Sequence, residues 1–467
     1  MIMQKIPRVI FAAAQSGSGK TTIVTGLLAA LQQAGQIVQP YKVGPDYIDP
    51  GYHTLAAGRK GHNLDTWLVP EEKLPEIFQK SAGDAELCVI EGVMGLFDGG
   101  RNGISSTAAL AKLLKTPVIL VLDVRSMGDS AAAIALGFRK YDPDVYIAGV
   151  ILNRVGSENH RQMIEEAMEK ISMPVLGVVY RKDELQMPER HLGLVPYMET
   201  DAKTWVEKLG TIIGASLDLP AILDIAEAAP SLPRAEKADI FVPKKIKLAV
   251  ALDEAFSFYY PASLAVLENL GAELLYFSPL NDEKIPEADG IILGGGFPEM
   301  FARQLSENTA MLAAFQKAKA KKIPLYAECG GFMYLTQYLT DFNGEKFPMA
   351  AVIPGSCQMN QRLQTVGYVE AVLQHDSILG EKGTQLRGHE FHFSSQTAEE
   401  YPWGLSFTKL RNGQQYPGGF ANDHIMASYL HVHFAGNLEA AAYFIGTCEK
   451  YAQKKQEQEV SSWEKSY

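Results

Sequence analysis

Residues 12–28 read AAAQSGSGKTTIVTGLL, and Gly19, Lys20 and Thr21 make the second half of the phosphate-binding pattern G-x-x-x-x-G-K-[ST]. The first position of the pattern holds Ala14 instead of glycine. The stretch follows the apolar run Val9-Ile10-Phe11 and enters a helical pattern. Gly17 and Gly19 would therefore let backbone N–H groups curl around a phosphate at a helix N-terminus. Lys20 is expected to reach the outer phosphates, and the Thr21 hydroxyl to ligate Mg²⁺. The expected nucleotide contacts are Gly17, Gly19, Lys20, Thr21 and Thr22. An ordinary glycine turn capping a helix is the plain alternative, and the order strand, loop, lysine, helix argues against it.

Carboxylates decide what is done with a bound nucleotide. YKVGPDYIDPGYH (41–53) offers Asp46 and Asp49, and VIEGVMGLFDGG (89–100) offers Glu91 at a strand end and Asp98 further along the loop. Mg²⁺ takes oxygen ligands shared among protein, water and phosphate, so Thr21, Asp46 and Glu91 are the expected metal ligands. Helix capping by Asp46 or Asp49, and a buried partner for Glu91, are the structural alternatives. In ILNRVG (151–156), Asn153 is expected to meet adenine edges, or else to be a turn asparagine.

A second chemistry stands later in the chain. IPLYAECGGFMYL (323–335) reads as a strand meeting a helix at Cys329, a sharp turn that exposes a nucleophile between small neighbours. The helix N-terminus is expected to lower its thiol pKa below the ordinary value of ~8.5. IILGGGFPEM (291–300) supplies backbone N–H groups near Gly295 and Gly296 which, with that of Gly330, would form an oxyanion hole. A base must come from elsewhere, and ASYLHVHF (427–434) has the alternation of a strand bearing His431 and His433 on one face.

These groups need two scaffolds. In the first half, short apolar runs alternate with amphipathic segments, the rhythm of a parallel sheet covered by helices. Strands are expected at 8–13, 36–42, 87–91, 118–123, 147–153 and 175–179, with helical sequence up to about residue 229. PSLPRAEKADIFVPKKIK (230–247) reads as a linker in which 238–242 could pack. A second alternation follows: strands at 247–251, 273–277, 290–293 and 325–327, and helices at 263–270 and 299–320. The fold class is thus α/β, two doubly wound domains, with bounds 1–229, a linker 230–246, 247–450 and a polar tail 451–467 expected to fray after an initial helical stretch.

The 467 residues are 47% hydrophobic and 21% charged with a net charge of −11. That balance argues against a general nucleic-acid binder. The four cysteines are far apart, which suggests neither a zinc site nor a disulfide framework. With no signal-peptide profile and no apolar run of roughly 18 residues, the expectation is a cytoplasmic protein with no membrane partner.

Taken in order, QSGSGKTT, KVGPDYIDPGYH, EGVMGLFDG, LGGGFPE, YAECGGFMYL, RGHEFHFS and SYLHVHF resemble the glutamine-dependent cobyrinic acid a,c-diamide synthase family over nearly the whole chain. The resemblance implies a dethiobiotin-synthetase-like P-loop domain fused to a class I glutamine amidotransferase domain. It implies ATP and Mg²⁺, glutamine as nitrogen donor, and a corrinoid substrate whose side-chain carboxylates become amides through acyl phosphates, c before a. A homodimer is among the expectations.

Under the resemblance Cys329 is the nucleophile and His431 its base. Asp46, Asp49 and Asp98 are left to metal binding, substrate positioning or proton removal from ammonia. Ammonia would need an internal route between the domains. Most class I amidotransferases carry a glutamate two residues after the histidine; here that place holds His433, in keeping with the family, and the partner that orients His431 is left open. Partition-type ATPases carry a lysine where this chain has Gln15. Lys42, Arg101, Arg190 with His191, and Arg387 with His389 are the cations available for an acidic corrin. Competing expectations are the same chemistry on hydrogenobyrinate or nickel-sirohydrochlorin, cobyric acid synthase (whose "QNM"-type stretch is replaced here by GPDYIDP), and a nucleotide-switch module with a degenerate glutaminase.

Overall fold

A computed structural model of the chain describes residues 2–100, 103–181, 189–190, 193–194, 202–235, 243–397 and 401–464. It divides into two compact units, Met1–Lys237 and Ala238–Tyr467.

The first unit is built on a seven-stranded sheet. Its order is His62–Leu64, Val38–Val43, Leu87–Glu91, Arg8–Ala13, Val118–Asp123, Ile147–Val155, Val175–Tyr180. Every pairing is parallel. Arg8–Ala13 and Leu87–Glu91 are buried along their whole length, which is why they read as continuous apolar runs. Parallel strands bring their carboxyl ends to one edge, so the loops after Ala13, Val43, Glu91 and Val155 meet there.

Helix Lys20–Gln33 is held tightly against helix Ala202–Gly214. A Cβ on Gly26 would lie 2.5 Å from Ile213 Cγ1, and one on Gly210 2.8 Å from Ala29 Cβ. At the opposite end of the central strand, Arg8 is buried and its guanidinium donates to the carbonyls of Leu114 (2.9 Å), Ile6 (2.8 Å) and Pro230 (2.6 Å). Burial lowers its pKa to about 10. Met3–Gln4 pairs with Leu232–Pro233, so the opening of the expected linker belongs to this unit. Residues 238–242 lie outside the described residues.

The second unit carries a ten-stranded mixed sheet. Ala272–Phe277, Ile246–Ala251, Gly290–Leu293, Leu325–Glu328 and Ile425–Ser428 are parallel neighbours in that order. Gln415–Ala421, Trp403–Lys409, Thr365–Leu373, Gln385–His392 and His431–Val432 extend the sheet antiparallel. Apart from the strand bearing His431, this extension was not assigned from the sequence. It folds the strand bearing His431 back against Gln385–His392, in register His389 to His431.

Several expected elements shift. The strand expected from residue 36 begins at Val38, because Gln36 N–H still donates to Leu31 O (3.0 Å) in the turn that ends the preceding helix. The helix expected over 299–320 is broken at Asn308, whose Oδ1 caps Met311 N–H (3.2 Å) and starts helix Thr309–Ala320. The strand expected over 427–434 is two pieces, Ile425–Ser428 and His431–Val432. The polar tail is helical as far as Glu464: Leu438–Glu464 is one helix, and its Lys, Glu and Gln residues are good helix formers. Among the described residues no helix is long and apolar enough to cross a membrane.

Two candidate active sites

The first site lies at the carboxyl edge of the first sheet, where a cavity of 780 Å³ is lined by Gly17, Gly19, Lys20, Thr21, Thr22, Lys42, Asp46, Asp49, Glu91 and Asn153 among others. Gly19 caps helix Lys20–Gln33 with φ 87°, and a Cβ there would lie 2.3 Å from Asn153 Nδ2. Only glycine fits both constraints. Asn153 Nδ2 donates to Ser18 O (2.8 Å), and Arg154 donates to Gly17 O (2.9 Å) and Asp123 Oδ2 (2.5 Å). The end of strand Ile147–Val155 thus fixes the loop, and the Asn153 amide expected to meet adenine is spent partly on the loop backbone. Lys20 is buried and donates to Met94 O (2.6 Å); burial lowers its pKa, against the pull of Glu91 and Asp49.

Beside the loop is a buried charge network. Thr21 Oγ1 donates to Glu91 Oε1 (2.7 Å) and stands 3.2 Å from Asp49 Oδ2. The Lys42 ammonium bonds Asp49, lies 2.7 Å from Glu91 Oε1 and 3.9 Å from Asp46 Oδ2. Asp49 and His53 are one turn apart on helix Ile48–Ala57, so both face Glu91, and His53 Nε2 is 2.7 Å from Glu91 Oε2. Burial alone would discharge Lys42, but the Asp49, Glu91 and Asp46 carboxylates overcome it and hold its pKa above the ordinary lysine value. For Glu91, Lys42 and His53 overcome burial in the same way and hold the carboxyl below its usual range. Asp49 is pushed up to about 8 by burial and the nearby Asp46, with Lys42 opposing.

Oxygens of Thr21, Asp49 and Glu91 thus converge, a hard-oxygen donor set that fits Mg²⁺ completed by phosphate and water. Asp46, expected as a ligand, is half-buried; its Oδ1 accepts the N–H groups of Ile48 (2.8 Å) and Asp49 (3.1 Å) and starts the helix. Asp98 is exposed and its Oδ2 accepts Gly95 N–H (3.1 Å), shaping its own loop. Lys42, one of the cations considered for an acidic substrate, is already engaged by carboxylates. Arg387 is exposed, 3.9 Å from Glu370, while His389, two residues along the same strand, is buried. Arg101, His191 and the side chain of Arg190 lie outside the described residues.

The second site is at the end of strand Leu325–Glu328. Cys329 has φ 44° and ψ −102°, a strained turn into helix Gly330–Leu335, and its N–H donates to Ser428 O (2.8 Å). The turn demands small neighbours. A Cβ on Gly330 would lie 3.0 Å from Gly296 N, and one on Gly296 2.0 Å from Ala255 O. Gly331 N–H donates to Gly294 O (3.0 Å), which ties the elbow to the glycine run.

The thiol is buried, with Sγ 3.9 Å from Phe391 O. Burial, helped by Glu299 and Glu328, pushes its pKa up, and the Gly330 N–H only partly opposes this. The expectation of a lowered thiol pKa is therefore corrected: the helix beyond it has one and a half turns, too short to offset desolvation.

His431 is buried, and its ring packs on the Gly295 backbone, where a Cβ would lie 2.5 Å from Cε1. It stacks on His389 at 4.8 Å between ring centroids and 21° between planes. Its Nδ1 is 3.5 Å from Glu328 Oε2. His433, at the position of the missing glutamate, packs instead on Tyr260, centroids 4.7 Å apart.

The fold thus gathers Gly17, Gly19, Lys20, Thr21, Thr22, Asp46, Asp49, Glu91 and Asn153 around one cavity and leaves Asp98 outside its lining. Sequence reasoning gave no role to His53, Asn63 or Glu328. Asn63 Nδ2 donates to Gly44 O (2.8 Å) and Asp46 O (2.7 Å), clamping the loop that carries the aspartates. The available signals were the helical spacing of Asp49 and His53, and an acid ending an otherwise apolar strand.

Comparison with known proteins matches residues 9–195 to the "CobQ/CobB/MinD/ParA nucleotide binding domain" family and residues 247–438 to the "CobB/CobQ-like glutamine amidotransferase domain" family. Cobyrinate a,c-diamide synthase of Dehalococcoides mccartyi (strain CBDB1) is 44% identical over 451 residues, 94% of this chain and 97% of that protein. The protein of that name from Listeria monocytogenes serotype 4b (strain F2365) is 44% identical over 95% of this chain and 100% of its own length. That of Picrophilus torridus is 40% identical over 95% and 99%.

Proposed function

Because the chain belongs to the cobyrinate a,c-diamide synthase family, we propose that it amidates the a- and c-side-chain carboxylates of cobyrinate, using ATP and ammonia released from glutamine, in cobalamin biosynthesis. The observation that carries this reading is the similarity over 94% of the chain, spanning both the phosphate loop and the cysteine elbow. Its small-molecule partners are glutamine, ATP and the corrinoid, in a cytoplasmic setting. A homodimer is the assembly to look for by sedimentation.

In the second unit, Cys329 Sγ attacks the carboxamide carbon of glutamine while His431 takes the thiol proton and hands it to the departing ammonia. The backbone N–H groups of Gly296 and Gly330 stabilise the developing oxyanion. Water then hydrolyses the thioester to glutamate. A raised thiol pKa makes His431 indispensable, since little thiolate exists without it.

In the first unit, a substrate carboxylate oxygen attacks the γ-phosphorus of ATP, releasing ADP and giving an acyl phosphate. Ammonia then attacks the acyl carbon and phosphate leaves. Lys20 and the loop N–H groups hold the phosphates. Thr21, Asp49 and Glu91, with Asp46 beside them, would hold Mg²⁺, which neutralises phosphate charge when bound. Lys42 and His53 keep Glu91 and Asp49 oriented. Two carboxylates require two rounds.

The direct test is incubation of the purified chain with cobyrinate, Mg·ATP and glutamine, following products by mass. Conversion of two carboxylates to amides with two ADP formed supports the reading. Turnover of hydrogenobyrinate or nickel-sirohydrochlorin but not cobyrinate would overturn the substrate assignment, and no ATP-dependent amidation of any of them would overturn the function.

A further inference from the structure

We propose that Glu328, the residue immediately before the nucleophile, is the positioning carboxylate for His431, doing from the strand that ends at the nucleophile what a glutamate two residues after the histidine does in most class I amidotransferases. The inference rests on the reading of Cys329 as nucleophile and His431 as base.

Glu328 is buried, and its two oxygens are divided between two tasks. Oε1 accepts the Tyr326 hydroxyl (2.5 Å) and the Val432 N–H (2.9 Å), the residue next to His431. Oε2 is left facing His431 Nδ1 at 3.5 Å. The carboxylate is thus anchored to the segment that carries the imidazole and presents its free oxygen to the ring. A carboxylate there favours the tautomer protonated at Nδ1, leaving Nε2 with a lone pair, and it steadies the imidazolium formed when the thiol proton arrives. The other titratable groups facing the ring do not compete for this role. His389 stacks on it face to face, and its pKa lies well below the ordinary value through burial and the nearby His431, so it stays neutral; His392, lowered to about 4 chiefly by burial and also by His431, stays neutral too. Cys329 supplies the proton that His431 accepts. His433 belongs to the Tyr260 stack.

Glu328→Gln keeps the shape and removes the charge. Its carbonyl oxygen would stay with the Val432 N–H, turning an amide N–H toward Nδ1 and selecting the wrong tautomer. In the full chain the variant should lose about 10²-fold or more of glutamine-dependent activity at neutral pH. The acid limb of its glutaminase pH profile should move down by about one unit. Ammonia-dependent amidation should stay near the parent rate, and Glu328→Asp should recover part of the loss.

An unchanged rate and acid limb in Glu328→Gln would overturn the proposal. In the unsubstituted chain, ¹⁵N NMR of His431 should show the proton on Nδ1; a proton on Nε2 of the neutral ring would overturn it even if the variant did not fold. Cys329→Ser in the same assay separates the two levels: retained glutaminase would refute the underlying assignment of the nucleophile, whatever Glu328 does.

Discussion

The two sites handle charge in opposite ways. At the phosphate loop, Lys42 is buried among Asp49, Glu91 and Asp46, with His53 behind Glu91, so opposite charges are assembled into one network. At the elbow, burial and the nearby Glu299 and Glu328 disfavour ionisation of the Cys329 thiol, and Glu328 faces His431 Nδ1 at 3.5 Å. Phosphoryl transfer gathers several charges at once, and a preorganised network avoids rearranging them during the reaction. Glutamine hydrolysis needs a nucleophile only when glutamine is bound, and a protonated thiol in the resting site resists other electrophiles.

The sharpest way to separate the two regions is to silence each in turn. Cys329→Ser should lower glutamine-dependent amidation by more than about 10³-fold while amidation with added ammonia persists. Equal loss with both nitrogen sources would mean that the sites are not chemically independent. Lys20→Ala should reduce amidation by roughly 10²–10³-fold with either donor, leaving basal glutaminase. Near-normal ATP-dependent amidation would remove the phosphate loop from the account.

The contrast in charge can be probed through stability. Lys42→Met leaves the Glu91 carboxylate buried with only His53 beside it, so it should destabilise the first unit by about 3–5 kcal/mol. Amide hydrogen exchange should report the change in residues of Met1–Lys237, with the second unit unaltered. A smaller effect belongs to the second unit. Burial lifts Glu390 from the ordinary 4.5 to about 7, with the Tyr416 hydroxyl and Lys409 opposing. The folded state therefore holds this proton after the unfolded chain has released it. The resulting stability is fully present below pH 4.5 and lost as pH rises to about 7. The loss is on the order of 3 kcal/mol or less, and Glu390→Gln should flatten it in urea titrations across that window. An unchanged slope in the variant would show that Glu390 titrates normally.

Most of the parallel strands were legible to within one or two residues because burial on both faces leaves apolar runs ended by glycine or polar residues, as in Arg8–Ala13 and Leu87–Glu91; the three-residue His62–Leu64 was not, and Ile425–Ser428 was merged with the strand bearing His431. The antiparallel strands Thr365–Leu373 and Gln415–Ala421 were not, since their alternation is half exposed and interrupted by glycine and proline. Lys20, Thr21 and Glu91, which line one cavity, could be singled out because the first two open a helix after a glycine loop and Glu91 ends an apolar strand. The roles of Lys42 and His53 depend on a strand and a helix converging on Glu91, a three-body arrangement that no single spacing encodes. Glu328 was visible beside Cys329, yet its partner lies about a hundred residues away and is reached only through the strand pairing that brings Val432 to it.

In the proposed function the phosphate-loop site activates a substrate carboxylate directly. Cobyrinate labelled with ¹⁸O in its carboxylates, turned over with Mg·ATP and glutamine, tests it in one measurement. The acyl-phosphate route transfers one carboxylate oxygen to phosphorus at each amidation, so the inorganic phosphate formed should carry ¹⁸O in step with the amides made. Diamide formation accompanied by unlabelled phosphate would contradict it.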